Sequence, residues 1–344
     1  MQPFSVEQYH ALGSGAGVAN RSWRGRIVVT GGDRLSYLHA MLTNDIASLG
    51  PGTGCYAAYL TPQGRMIADM RVLELGDLTL LDVEPDTRTA VLEKLEQFVF
   101  SEDVRLVDAT ADLGQIGVYG ARAAEAIAAA VQSGGGRIPK EALDGLGEYQ
   151  SVRAPFEGGT AVIAGDREFG VAGFAVYVDA GRAAAFEAAA RDAGATLVDE
   201  GVLDVLRVEA GRPRFGVDLD KTTIPLEAGI EGRAISFTKG CYPGQEVVIR
   251  VLRRGHGRVA RKLVGMVAVG GVVPTRGDRV LVSDQDVGLV TSGVASVALH
   301  APIALGYVQR DFTAPGTAVS IAHGDGRLAA KVVEPPFVRH GERG

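Results

Sequence analysis

The sequence predicts an α+β protein that ends in a small β-barrel or sandwich. Three observations carry this reading. One pattern occurs twice. An apolar run at residues 78–83 ends in Glu84-Pro85-Asp86, passes into a helical stretch at 87–98 with Val91, Leu92, Leu95 and Phe98 three or four apart, and closes in Val104-Arg105-Leu106-Val107-Asp108. A similar run at 173–178 ends in Asp179, passes into a helical stretch at 182–192 and closes in Thr196-Leu197-Val198-Asp199. Each copy joins strands to one helix, which lays helices on an antiparallel or mixed sheet. From about residue 262 the texture changes to short β-branched runs at 263–269, 279–282, 288–292, 303–308, 318–321 and 329–333, separated by Gly, Pro and Asp.

Taken along the chain, Asp86 and Asp179 are read as helix N-caps, and Gly194 as a helix stop. Residues 121–131 form an alanine-rich helix that ends at Ser133-Gly134-Gly135-Gly136. That glycine tract lacks the Lys-Ser/Thr ending of a phosphate loop and is read as a surface connection. Residues 245–254 are read as a helix whose first turn begins near Cys241. Residues 1–262 then form the α+β region, as two intertwined or tandem units divided near residue 110, and residues 263–344 form the β module.

Net charge is −6, which excludes generic nucleic-acid binding driven by the whole-molecule field. No stretch approaches the roughly 20 apolar residues of a membrane span. The N-terminus has no basic start followed by an apolar run, so a cytoplasmic protein is expected. Two cysteines far apart make neither a disulfide framework nor a metal spacing, so no metal site is expected.

The stretch Lys239-Gly240-Cys241-Tyr242-Pro243-Gly244-Gln245-Glu246 is the richest in chemistry. A thiol reacts as thiolate, and a nearby cation or a helix N-terminus lowers its pKa. Lys239 and the helix start supply both devices for Cys241. A buried cysteine in a tight turn is the competing reading. Cys55, in Gly54-Cys55-Tyr56, is read as a buried strand residue with nothing cationic adjoining it.

Downstream, Arg250, Arg253, Arg254, Arg258, Arg261 and Lys262 form a basic patch, with no acidic residue between Glu246 and Asp278. Arg250, Arg253 and Arg254 share one face of a helix. The patch suits carboxylates, and equally a solvated helix face or RNA phosphates. No aromatic platform is interleaved, which argues against single-stranded nucleic acid. His256 sits inside it. Glu209 lies in the apolar run 202–210, where a carboxylate needs a partner; Arg207, Arg212 and Arg214 are within reach.

The KGCYPGQE stretch resembles the signature of the YgfZ family, the folate-binding relatives of the glycine-cleavage T-protein (aminomethyltransferase). The likeness extends over most of the chain: Val28-Val29-Thr30-Gly31-Gly32-Asp33, then Leu42-Thr43-Asn44-Asp45; the segment from Tyr59 to Asp69; Arg207-Val208-Glu209-Ala210-Gly211; Ile224-Pro225-Leu226-Glu227-Ala228-Gly229; and Ala304-Leu305-Gly306-Tyr307-Val308. It implies a GcvT-like fold with paired ferredoxin-like units and a C-terminal barrel, and tetrahydrofolate as cofactor. A pterin offers a ring N–H and an exocyclic amine that one carboxylate can accept, which makes Glu209 the leading ligand and Glu227 the second. Arg250, with Arg253, would hold the anionic tail, including polyglutamylated forms, and Tyr242, Gln245 and Glu246 would complete the set.

The resemblance further implies an accessory role in iron–sulfur cluster assembly, with Cys241 and Lys239 as the working pair, cluster assembly proteins or client enzymes as partners, and an indirect effect on tRNA modification. Two alternatives stand beside it: a folate-dependent aminomethyltransferase, and an RNA-interacting tRNA-modification factor. The transferases resemble Gly-Gly-x-x-Asp-Asp where this chain reads Gly64-Arg65-Met66-Ile67-Ala68-Asp69. Ala68 therefore counts against transfer, while Asp69 is the remaining acid–base candidate.

Overall fold

The computed structural model describes residues 4–253 and 258–339, so Arg254 and His256 lie outside the described residues. The chain opens with α1 (Val6–Ser14) and β1 (Gly17–Asn20). It continues through β2 (Gly25–Thr30), α2 (Arg34–Met41), β3 (Thr53–Leu60), β4 (Met66–Glu74), β5 (Thr79–Val83), α3 (Arg88–Glu96) and β6 (Arg105–Asp108). Next come β7 (Leu113–Tyr119), α4 (Ala123–Ser133), α5 (Lys140–Asp144), β8 (Ser151–Phe156), β9 (Gly159–Gly165), β10 (Gly173–Asp179), α6 (Ala183–Asp192) and β11 (Thr196–Leu197). Helices α7 (Glu200–Glu209), α8 (Pro225–Ala228), α9 (Glu231–Ala234) and α10 (Gln245–Arg253) lead to β12 (Arg261–Ala268), β13 (Arg279–Val282), β14 (Gln285–Ser296), β15 (Ala301–Gln309), β16 (Ala318–His323) and β17 (Gly326–Val333).

The repeat legible in the sequence is a repeat of topology. One sheet runs β3-β4-β5-β2-β6 and the other β8-β9-β10-β7-β1-β11. The position beside β7 is filled from the N-terminus by β1, antiparallel to β7 and parallel to β11, with Gly17 opposite both Tyr119 and Thr196. This parallel contact makes the second sheet mixed. Neither Asp86 nor Asp179 caps a helix with its side chain. A 3-10 turn precedes each helix, Pro85–Thr87 and Ala180–Arg182, and the Asp179 carboxylate pairs with Arg182 instead. Gly194 does stop α6, at φ +93°, a conformation that glycine tolerates best.

Strand alternation divides each sheet into two faces. In β5, Leu81 and Val83 pack under α2 and α3, while Leu80 and Asp82 face the other sheet. In β10, Phe174, Val176 and Val178 pack under α4 and α6, while Ala175 and Tyr177 face inward. The two inner faces meet through Leu73, Leu80, Ala164, Ala175 and Tyr177. The six C-terminal strands close into a barrel, β12-β15-β14-β13-β16-β17, around Met266, Val290, Ala304, Ile321 and Val332. Helix α7 joins the parts, its Val202, Leu203 and Leu206 packing with Leu12 of α1 and with Ile303 and Leu305 of the barrel.

Candidate functional site

Polar residues on the inner faces build a charged junction between the sheets. The Asp82 carboxylate accepts hydrogen bonds from Arg24 Nε at 2.5 Å, Tyr177 OH at 2.7 Å, Gln115 Nε2 at 3.0 Å and Arg71 Nη1 at 3.1 Å. Burial pushes this carboxyl upward, but Arg24, Arg71 and the bond from Tyr177 outweigh it and hold Asp82 well below the usual carboxylate range. Arg24 also pairs with Glu84, whose other oxygen takes Arg214 at 3.1 Å from two nitrogens. The Arg214 guanidinium stacks on Trp23, 4.9 Å from the ring centre.

A pocket lies beside this junction, lined by Tyr56, Asp69, Arg71, Glu84, Tyr149, Glu168, Arg212, Arg214 and Arg233 among others. Asp69 projects into it from β4, and Tyr56, diagonally across on β3, donates its hydroxyl to Asp69 at 2.6 Å. Burial raises the Asp69 carboxyl above its ordinary value against the opposing pull of that hydrogen bond. Arg233 stacks on the Tyr56 ring at 4.9 Å and donates to Glu148 and Tyr149. Arg212 is less well matched. Its nearest paired carboxylate oxygen, on Glu148, is 3.9 Å away, and burial followed by repulsion from Arg233 lowers its pKa.

The inner cavity measures about 40 Å³. It adjoins a basin of about 810 Å³ that shares Arg212, Pro213 and Arg233 with it and adds Lys262 and Arg339. Four cations thus line the route outward. Ala68 stands outside this arrangement. It is fully buried and packs in the apolar cluster with Leu38, Met70 and Leu95, on the helix-covered face of β4. A carboxylate at position 68 would enter that core and not the pocket, so Ala68 does not remove a group from the pocket wall.

The other expected site residues are placed elsewhere. Glu209 ends α7 fully buried against the barrel, where its carboxylate accepts from Tyr9 OH and Ser296 Oγ at 2.6 Å each and from the Ala298 amide at 3.3 Å. Arg207, the nearest arginine in sequence, pairs with Asp204 and Asp218. Glu227 on α8 is bound by Arg261 Nε at 3.1 Å, which takes one cation out of the expected basic patch. Arg261 in turn stacks on Tyr307, 4.5 Å from the ring centre. Arg250 and Glu246 are exposed on α10.

Tyr242, Gln245 and Arg253 come together in a separate groove of about 280 Å³ with Ser236, Phe237, Ile249 and Leu252. Cys241 is exposed beside Tyr242, and α10 starts four residues later, at Gln245, so Cys241 lies short of the helix's first turn. Gly244 turns the chain at φ +83° and approaches Gly64 so closely that a Cβ there would sit 2.5 Å from the Thr61 carbonyl oxygen. Lys239 does not serve Cys241 as expected. Its Nζ donates to the carbonyls of His39 and Leu42, and its thiol neighbour in space is Cys55. Cys55 therefore does have a cation nearby, although burial, more than this cation, governs its thiol and pushes it up to about 12.

Sequence reasoning missed Tyr56, Arg212, Arg214 and Arg233 as pocket residues. Arg212-Pro213-Arg214 directly after Gly211, which has φ +66°, was the available signal: a turn that brings two guanidinium groups to one place. Among the described residues no group of three or more His, Cys, Asp or Glu could hold a metal, and no helix is long and apolar enough to cross a membrane.

Two sheets of like topology, each covered by helices on one face, followed by a closed six-stranded barrel and with a charged pocket beside the junction of the sheets, define the class of fold. Residues 1–239 match the GCVT N-terminal domain, and residues 261–339 match the glycine cleavage T-protein C-terminal barrel domain. The chain belongs to the glycine cleavage T-protein family. It is 32% identical to the aminomethyltransferase of Streptomyces avermitilis over 97% of this chain and 89% of that protein. It is 31% identical to that of Streptomyces coelicolor over 90% of this chain and 83% of that protein. The crystal structure of glycine cleavage system aminomethyltransferase T from Bartonella henselae superimposes with a TM-score of 0.86 at 22% identity, covering 97% of this chain and 89% of that one, a likeness of fold. These relatives carry the transferase name, not that of the YgfZ branch.

Proposed function

We propose that the chain binds tetrahydrofolate, the one-carbon carrier its family uses, with the pterin at the mouth of the central pocket and the acidic tail among Arg212, Arg233 and Lys262. Asp69 then exchanges a proton with the folate nitrogen that carries the one-carbon unit, as in an aminomethyltransferase. One observation carries this reading: Asp69 faces the pocket with its carboxyl raised by burial, while Ala68 faces the core. A proton carrier works best when its pKa approaches the working pH. The residues fit the ligand by size as well as charge. The inner cavity of about 40 Å³ is too small for a bicyclic ring, whereas the adjoining basin of about 810 Å³ lies in the range of small-molecule sites. In this arrangement the α+β region holds the pterin, and the barrel lends Lys262 of β12 to the wall of the basin.

The test is direct. Purified protein is given tetrahydrofolate and an aminomethyl donor, and methylene-tetrahydrofolate is measured. Turnover that disappears in Asp69→Asn supports the proposal; turnover indifferent to that change removes Asp69 from it.

A second reading is favoured by Cys241, an exposed thiol within the eight residues that resemble the YgfZ signature. In it the same pocket binds folate without turnover, and the thiol serves iron–sulfur assembly proteins or cluster client enzymes in a cytoplasmic setting. The readings part on one comparison. A deletion strain complemented with wild type or with Cys241→Ser is assayed for several cluster enzymes, and a defect confined to the Cys241→Ser strain, without turnover in vitro, selects the accessory role.

A further inference from the structure

The groove of about 280 Å³ beside Cys241 takes no part in the folate pocket. The buried Tyr242 lines it, together with half-buried Ile249 and Leu252 of α10 and with Phe237, which is 58% exposed. A lone exposed ring is ordinary, but this one stands at the mouth of an apolar recess. The wall that carries it is also held in place. The Ser236 amide donates to the Thr43 carbonyl at 3.0 Å, Lys239 Nζ donates to the carbonyls of His39 and Leu42, and Gly244 packs on the Thr61 carbonyl and on Gly64. The segment 236–244 is thus fixed before a ligand arrives, and binding need not order it.

Charge around the groove is one-sided. Arg253 lines it, Arg250 lies exposed one turn earlier on α10, and no Asp or Glu occurs between Glu246 and Asp278. Among the described residues neither Arg250 nor Arg253 has a carboxylate partner, whereas Arg207, Arg214, Arg233 and Arg261 are all paired. We propose that the groove docks an acidic segment of a partner protein, which seats a bulky apolar side chain against Phe237 and Tyr242 and sets its carboxylates on Arg250 and Arg253. The exposed Cys241 adjoins Tyr242 in the chain, so the docked segment covers its thiol.

The shape selects among the occupants that a basic and apolar surface could take. A membrane needs apolar side chains that protrude, whereas Tyr242, Ile249 and Leu252 recede into the groove. RNA needs a series of open aromatic faces, and of the two aromatic residues that line the groove only Phe237 is exposed. A recess sized for side chains, rimmed by guanidinium groups that can grip carboxylates through two nitrogens at once, matches the anchor-and-rim plan of protein interfaces. The proposal needs neither reading of the folate pocket.

The probe is a fluorescein-labelled amphipathic peptide with Leu and Phe at every third or fourth position and Glu elsewhere, followed by anisotropy against the full chain. Two sister peptides carry Lys in place of Glu, or Ser in place of Leu and Phe. The acidic peptide should bind, weaken as salt rises, and slow alkylation of Cys241, and both sisters should bind at least about tenfold more weakly. Phe237→Ser, and the double change Arg250→Glu with Arg253→Glu, should each weaken the acidic peptide about tenfold or more; the double change should also strengthen the Lys peptide. All three side chains are exposed, so the variants should keep the wild-type urea midpoint, and the sister peptides test the wild type if a variant does not fold. Absence of binding, equal binding of the Lys peptide, or affinity indifferent to Phe237→Ser overturns the proposal. Tighter capture by anionic vesicles or by single-stranded RNA, or self-association lost in Phe237→Ser, overturns it too and gives the groove to a lipid surface, a nucleic acid or a second copy of the chain.

Discussion

Replacing Asp69 by Asn keeps the shape of the side chain and removes its charge. The structure allows the two consequences to be weighed separately. Burial already disfavours the ionised carboxyl at this position, and a side-chain hydrogen bond from Tyr56 at 2.6 Å supports it. A hydrogen bond to a charged group contributes about 1.5–3 kcal/mol and to a neutral one about 0.5–1.5 kcal/mol, so the loss is about 1 kcal/mol before the relief of a buried charge is counted. The net effect on stability is close to zero. Proton transfer is different, because asparagine cannot carry the proton, and positioned acid–base groups contribute roughly 10²–10⁴ in rate. The expected result is a fall of at least about 100-fold in methylene-tetrahydrofolate formation, with the urea midpoint moving by less than the equivalent of about 1 kcal/mol. The acid limb of the wild-type pH–rate profile should lie above 3.8, because the carboxyl is raised, and should vanish in the variant. Full turnover in Asp69→Asn refutes the assignment. A large drop in stability refutes it too, by making Asp69 a structural carboxylate.

Other outcomes follow from the same geometry. Glu209→Ala should destabilise the protein by roughly 2–5 kcal/mol in urea unfolding, since the buried Tyr9 hydroxyl and Ser296 lose their acceptor, and should leave folate affinity in calorimetry unchanged. Asp82→Ala should cost roughly 3–5 kcal/mol by exposing Arg24 and Arg71 to each other without a counter-charge. Because Asp82 is held below its ordinary value, its contribution is present at neutral pH and is lost as pH falls below about 4, which acid titration of wild type against variant would reveal. Lys262→Ala should weaken polyglutamylated folate more than the monoglutamate, a difference that disappears at high salt. In alkylation with mass-spectrometric site assignment, Cys241 should label in the native protein and Cys55 only on unfolding; the reverse order would make Cys241 structural.

The fold was legible because its signals are local. The doubled strand–helix–strand pattern and the six β-branched runs each report on a few adjacent residues, and the structure contains every one of them as an element. Asp69 was legible as a candidate, but not which of residues 68 and 69 faces the pocket, because that depends on which side of β4 the helices cover. The hydrogen-bond donors to Glu209 were not legible for a related reason. An isolated glutamate in an apolar run must find partners, and the nearby arginines were the visible ones, whereas residues 9, 296 and 298, far along the chain, donate to it. Lys239 beside Cys241 shows the same limit at shorter range. Two residues of separation did not decide where a long side chain points, and two carbonyls at the end of a helix did.

The placement of β1 bears on how this molecule can be divided. Although the chain passes from one sheet to the other between β6 and β7, the second sheet is closed by a strand made before the first begins. A cut near residue 110 therefore does not yield two autonomous halves. It leaves the later fragment with β7 open along one edge and β11 without its neighbour, and the earlier fragment with a strand that has nothing to pair with. Such fragments should recover a native sheet only by finding each other, as complementing pieces do. During synthesis β1 must wait while the whole first sheet is assembled, so the two units are coupled as a fold even where they look alike as repeats.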